Sequence, residues 1–252
     1  MGTMSQSTKG VTVSLVIPAR NESELLPRLL DTVDHARRQC RRGEDAVEVI
    51  VADNGSTDAT AAIAESRGCR VVSVEKRCIA AVRNGGAAVA AGPLLAFVDA
   101  DIRVHPETFN AIDTALGSKK VAAGATGVRL ERWSLGIAAT YALMVPFVWM
   151  LRMDTGVVFC RRRDFEAIGG YEEKLRFGED VRFLVDLRKN GRPRGQRLTR
   201  LRHVKAIACM RKFDRHGDWH YFRMIPRLTL GLLSPNQKSS DLVERYWYRA
   251  RG

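Results

Sequence analysis

Four times between residues 11 and 116, a short apolar run gives way to an amphipathic stretch, and this rhythm constrains the fold more than any other feature. Residues 11–17 are rich in β-branched side chains and predict a buried strand stopped by Pro18. Residues 23–38 predict a helix with an apolar face of Leu25, Leu26, Leu29, Leu30 and Val33, in which Pro27 is tolerable only in the first turn. A strand over 47–52 and an Ala-rich helix over 59–67 follow, the latter capped by Ser56 or Thr57. A third strand (70–74) leads to a small-residue helix (80–91), and a fourth (94–98) to a helix opened by Pro106 and running through Leu116. Strand and helix alternating at this spacing specify a parallel sheet of βα units.

Beyond Lys120 the rhythm changes. Residues 121–130 predict a strand, and 133–151 form a nineteen-residue stretch without a charge. That is just long enough to span a bilayer. A single crossing would, however, put the carboxylates at 99–101 and at 179–180 on opposite sides of a membrane, so a buried or interfacial helix is expected. The expected architecture is one α/β domain over 11–252, with a mostly parallel sheet flanked by helices. Residues 11–118 would form its first half and 119–252 its second.

Charge is distributed unevenly. Residues 1–159 hold 18 Lys/Arg against 17 Asp/Glu, whereas 160–252 hold 23 against 11. The densest basic stretch, 188–215, has Asp214 as its single acid. Such a surface attracts phosphates or anionic lipid headgroups. Nucleic acid is not expected, because no recognised binding motif accompanies the charge. Five scattered cysteines without a C-x-x-C pair argue for a reducing, cytoplasmic setting and against a cysteine-built zinc site. The polar N-terminus, with only Lys9 charged, predicts no export signal.

The residues suited to chemistry fall at element ends. Asp99 and Asp101 follow the fourth strand, two hard oxygen donors at i and i+2 that would converge beyond its carboxyl end. Open α/β sheets bind ligands there, and such a pair suits Mg²⁺ or Mn²⁺ together with a diphosphate. Asp53 of the Asp53-Asn54-Gly55 turn and Glu22 of Pro18-Ala19-Arg20-Asn21-Glu22 lie on the same edge, placed to accept hydrogen bonds from a base or ribose. Arg83-Asn84-Gly85-Gly86 lies on the third helix, where the glycines predict close packing. Glu179-Asp180 opens an amphipathic helix; adjacent carboxylates there suit the helix dipole, or a general base beside a cationic site. Neither G-x-G-x-x-G nor a P-loop is present.

Taken in order, residues 16–22, 51–58, 97–101, the Gly169-Gly170-Tyr171 triplet and Gly178-Glu179-Asp180 resemble the family 2 glycosyltransferases of GT-A fold, over roughly residues 11–190. The resemblance implies an inverting transferase acting on a nucleotide-diphosphate sugar. Pro18, Ala19, Glu22 and Asp53 would contact the nucleoside, Asp99 the ribose or metal, and Asp101 the metal of the D-x-D motif. Asp180, paired with Glu179, would be the base. Arg83 is a further donor-side candidate. Arg211 or Lys212 would neutralise the diphosphate, and His216, in competition with His203 and His220, would complete the metal shell. The acceptor would be a lipid phosphate, a glycan or a small metabolite, and the basic face would meet a membrane surface peripherally. Two other readings stand beside this one: a catalytically inactive protein of the same fold that binds anions or a membrane surface, and a nucleotidyltransferase. The intact acidic set disfavours the first, and the Pro-Ala-Arg-Asn-Glu loop, where such enzymes carry a Gly-rich basic loop, disfavours the second.

Overall fold

A computed structural model describes residues 10–140, 142, 156–175 and 178–219. It divides into two compact units: residues 1–129 with 153–208, and residues 130–152 with 209–252.

The first unit begins with the expected alternation: β1 (Val13–Ala19), α1 (Leu26–Arg38), β2 (Val47–Asp53), α2 (Thr60–Ser66), β3 (Arg70–Ser73), α3 (Ile79–Val89), β4 (Leu94–Phe97), β5 (Ile102–Arg103) and α4 (Thr108–Gly117). It continues with β6 (Val121–Leu130), β7 (Val158–Arg161), α5 (Arg162–Ala167), α6 (Glu179–Gly191) and β8 (Arg197–Ala208). The described strands form one sheet in the order β3-β2-β1-β4-β7-β6-β8-β5. Strands β1 to β4 pair in parallel, as their helical crossovers require. Beyond residue 120, β7 runs antiparallel to both β4 and β6, and β8 antiparallel to β5.

Period-two alternation sorts the core onto two faces of this sheet. Leu15, Ile17, Val49 and Val51 pack with Leu26, Leu29, Leu30 and Val33 of α1 and with Phe109, Ile112 and Leu116 of α4. Val16, Ile50, Leu95 and Phe97 face the other way, against Ala80 and Ala87 of α3 and Phe183, Leu184 and Leu187 of α6. Burying each large apolar side chain contributes about 1.5–3 kcal/mol.

Three local expectations are corrected. Pro18 does not stop β1; it pairs with Ala52, and Ala19 with Asp53. Pairing to β4 ends at Val16↔Phe97, so the N–H that Pro18 lacks faces no strand partner. Ser56 and Thr57 do not cap α2; the Asp58 carboxylate accepts from the Thr60 backbone N–H at 3.0 Å and its hydroxyl at 2.5 Å. Asp99 and Asp101 sit on a turn between β4 and β5 rather than on strand geometry, so the i, i+2 rule does not orient them. Of the uncharged 133–151 stretch, residues 135–140 and 142 are helical, while 141 and 143–151 lie outside the described residues. Among the described residues no helix is long and apolar enough to cross a membrane.

Candidate active site

Because β1, β2 and β4 are parallel, their carboxyl ends and the loops that follow share one edge. The loops after β1 and β2 are tied to each other. The Asn54 N–H donates to the Ala19 carbonyl at 2.9 Å, and the Asn21 N–H donates to the Ser56 hydroxyl at 3.0 Å. Asn21 holds a positive φ of 51° and accepts from the Thr57 N–H at 2.8 Å. The Glu22 N–H donates to Thr60 Oγ1 at 2.8 Å, and the Glu22 carbonyl accepts from Leu26, starting α1. Asp53 is buried and accepts from both the hydroxyl (2.5 Å) and the N–H (3.1 Å) of Ser56. Pro18, Ala19 and Glu22 are buried as well. The expected nucleoside-side residues are thus gathered on one interlocked pair of loops.

Arg83 organises the other side of this edge. Its helix lies hard against the sheet: a Cβ on Gly86 would run into Val16 Cγ1, and one on Gly85 would stand 2.6 Å from Val74 Cγ2. The glycines therefore have the packing role expected of them. With α3 so placed, the Arg83 side chain is 5% exposed and its guanidinium reaches three carboxylates. Nη2 donates to Asp99 Oδ1 at 2.9 Å, and Nη1 donates to Asp180 Oδ1 at 2.8 Å and Glu179 Oε1 at 3.1 Å. The guanidinium carbon also lies 5.1 Å from the Tyr171 ring centroid, within cation–π range. Asp99 precedes the short β5, whose pairing with β8 holds the intervening turn that carries Asp101.

Asn84, next to Arg83, fixes the approach to α6. Its amide accepts from the Tyr171 N–H at 2.8 Å and donates to the Tyr171 carbonyl at 3.0 Å and to Glu173 Oε1 at 3.0 Å. Gly170, at φ +74°, has no room for a Cβ beside Asn84 and Phe165. The Tyr171 ring stacks on Phe183 with centroids 3.9 Å apart and meets Phe97 edge-on at 5.1 Å. Gly178, at φ +74°, then turns the chain so that Glu179 and Asp180 form the first turn of α6.

Burial pushes the Asp180 carboxyl up to about 6; Arg83 opposes that rise, while the charges of Asp99 and Glu179 add to it. Burial would depress the Arg83 guanidinium, but Asp180 and Asp99 carry it well above its ordinary value. Tyr171 is held neutral by burial first and then by the Asp180 charge. The site therefore pairs a permanent cation with a carboxylate poised near neutrality, a combination suited to proton abstraction.

No group of three or more His, Cys, Asp or Glu side chains among the described residues is arranged to hold a metal ion. Two hard carboxylates on one turn fit Mg²⁺ or Mn²⁺ shared with a substrate's phosphates, the usual way such ions bind when no all-protein cage exists. Arg211, Lys212 and His216 lie on α7 (Arg211–His216) of the second unit; the side chains of Lys212 and His216, and all of His220, lie outside the described residues. His203 is exposed on β8. Sequence reasoning did not anticipate the Asn84–Tyr171 clasp. A Gly-Gly-Tyr triplet and an Arg-Asn-Gly-Gly run are visible in the chain, but nothing local says that one grips the other.

Residues 14–130 match the family described as "Glycosyl transferase family 2". Over these residues, somewhat under half of its length, the chain is similar to the family 2 glycosyltransferases. Similar proteins include validoxylamine A glucosyltransferase of Streptomyces hygroscopicus subsp. limoneus, 41% identical over 101 residues, which are 38% of this chain and 21% of that protein. Undecaprenyl-phosphate 4-deoxy-4-formamido-L-arabinose transferase of Pseudomonas paraeruginosa is 39% identical over 107 residues, 38% of this chain and 29% of its own. The chain thus spans about a fifth to a quarter of the length of the first curated relatives it matches. Among solved structures, S. aureus TarS 1–349 in complex with UDP-GlcNAc superposes with a TM-score of 0.63 at 18% identity, covering 79% of this chain and 58% of that one. The mannosyltransferase PcManGT from Pyrobaculum calidifontis, in complex with GDP-Man and Mn²⁺, gives 0.61 at 20% identity over 77% and 56%. At these identities the likeness establishes the fold alone, GT-A.

Proposed function

We propose that this chain transfers a sugar from a nucleotide-diphosphate donor to an acceptor hydroxyl with inversion at the anomeric carbon, and that Asp180 is the general base. One observation carries the reading. Arg83 joins Asp99, on the turn after β4, to Asp180, 81 positions later in the chain, in a single hydrogen-bonded cluster. A carboxylate suited to the donor side and one suited to proton abstraction therefore stand at opposite ends of one guanidinium.

In the proposed reaction the acceptor oxygen attacks the anomeric carbon as the bond to the diphosphate breaks, and Asp180 takes the hydroxyl proton. Arg83 fixes Asp180 through Oδ1, and Glu179 keeps the carboxyl readily protonated at the close of the cycle. Pro18, Ala19, Glu22 and Asp53 hold the nucleoside on the interlocked loops. Asp101 and Asp99 would hold Mg²⁺ or Mn²⁺, which when bound would supply positive charge to offset that of the leaving diphosphate. Support for donor and metal comes from the TarS complex with UDP-GlcNAc and the PcManGT complex with GDP-Man and Mn²⁺. Support for a lipid-phosphate acceptor comes from the undecaprenyl-phosphate transferases among the relatives. Such an acceptor suits a cytoplasmic protein whose basic 188–215 stretch meets the inner membrane face.

The test is thermal stabilisation by UDP, GDP, CDP and dTDP, each with and without Mn²⁺. A ligand bound only by the native state raises apparent stability, so a Mn²⁺-dependent rise with one nucleotide is expected and identifies the donor class. No rise with any of the four would overturn the donor assignment.

A further inference from the structure

We propose that the second unit docks on the surface of an anionic lipid bilayer through the helix that opens at Leu135 and the two tryptophans Trp133 and Trp219. The proposal does not depend on the transferase reading. It adds an apolar anchor, on named residues, to the membrane contact that charge alone suggests.

Among the described residues three large apolar side chains are exposed: Trp133 (58%), Leu135 (84%) and Trp219 (51%). All three fall in the second unit, on two stretches far apart in the chain. Those stretches are clamped together. Arg132, next to Trp133, donates through Nη2 to Asp218 Oδ1 at 2.7 Å and to Asp214 Oδ1 at 2.6 Å. Gly136, next to Leu135, lies so near Asp218 that a Cβ would stand 2.8 Å from its carbonyl oxygen. Asp218 in turn precedes Trp219, so the three exposed side chains are rooted around one junction.

The helix that opens at Leu135 sorts its residues by face. Gly136, Ile137 and Thr140 are buried, while Leu135, Ala138 and Ala142, at i, i+3 and i+7, are exposed. A helix facing water carries polar residues on its outer side. This one carries none at those three positions, and no charge occurs from residue 133 through 151. The cover for that face must satisfy the unit's charge as well. Residues 130–152 and 209–252 hold 11 Lys/Arg against 5 Asp/Glu. Such an excess repels a second copy of the same face and attracts anionic headgroups. Tryptophan is enriched where hydrocarbon meets water. Trp and Leu on one side with Lys and Arg nearby is the composition of helices that lie in a membrane surface rather than cross it.

The test is flotation of the native chain with vesicles of phosphatidylcholine, with and without phosphatidylglycerol, at low and at high salt. Native protein should float with the phosphatidylglycerol vesicles and keep part of that attachment at high salt, because salt screens charge and spares the apolar contact. A Trp133→Ser/Leu135→Ser/Trp219→Ser variant should bind these vesicles at least about tenfold more weakly, the scale of leaving one large apolar side chain in water. It should also lose the salt-resistant fraction. Should that variant misfold, Leu135→Ser, at the most exposed of the three positions, should still reduce that fraction. Native protein that floats with neither vesicle, attachment wholly released by salt, or variants that float as native does would each overturn the proposal. A native dimer that the triple variant breaks, with no flotation of either, assigns the face to a second copy and overturns it equally. Nucleotide binding is measured separately, and its failure bears on the transferase reading alone.

Discussion

Asp180 combines burial, two neighbouring carboxylates and one arginine, and its behaviour with pH follows from that company. Its folded value of about 6 stands above the ordinary 3.8, so the native state takes up a proton as pH falls through 6 and gains stability there. Above pH 6 the buried charge costs stability. Asp180→Asn is therefore expected to raise the melting temperature at pH 8 by roughly 2 °C or more and to leave it unchanged at pH 4, as calorimetry at the two pH values would show. The same residue predicts the rate profile. With Arg83 permanently charged and Tyr171 neutral, Asp180 is the group that titrates near neutrality, and kcat/KM should rise with pH through about 6 and level off above it. A profile flat between pH 5 and 8 would remove Asp180 as the base. At this scale the sequence showed which residues matter and concealed how they meet. Glu179, Asp180, Asp99 and Arg83 are all legible as candidates, but ion pairs spanning 16 to 97 positions depend on the finished fold.

At the scale of elements, the contact between α3 and residues 169–173 decides whether Asp180 meets Asp99 across Arg83. Asn84→Ala would leave the Tyr171 N–H and C=O without their partner, a loss of about 1–3 kcal/mol for buried groups. Turnover should fall with it, because Tyr171 underlies Arg83 and leads to Glu179-Asp180; comparing unfolding curves with sugar release checks both. Gly86→Val should be worse, driving α3 off Val16 and Ala52 at about 1–3 kcal/mol of overpacking. The order of strands and helices through residue 117 was legible because period-two and period-3.6 patterns are local properties of the chain. Ends were less so. Pro18 continues β1 because β4 stops short of it, and Asp58 rather than Ser56 serves α2 because Ser56 is engaged with Asp53 and Asn21. Both facts depend on a neighbouring element. The antiparallel strands after residue 120 lack the helix-per-strand punctuation that made the first half readable.

For the molecule as a whole, the parallel half of the sheet brings three loop ends to one edge, and the antiparallel half returns the chain so that α6 meets α3. One carboxylate from the parallel half, Asp99, and two from the other, Glu179 and Asp180, then share one arginine, and the chemistry proposed here depends on that meeting. The most direct measurement is donor turnover by native protein and by Asp180→Asn, with nucleotide binding followed by calorimetry on the same preparations, using the nucleotide that stabilises the native protein with Mn²⁺. Nucleotide affinity within about twofold of native and sugar release reduced by about 10² or more is the predicted result, the scale of a lost general base. Sugar release by Asp180→Asn at the native rate would contradict the account at its centre.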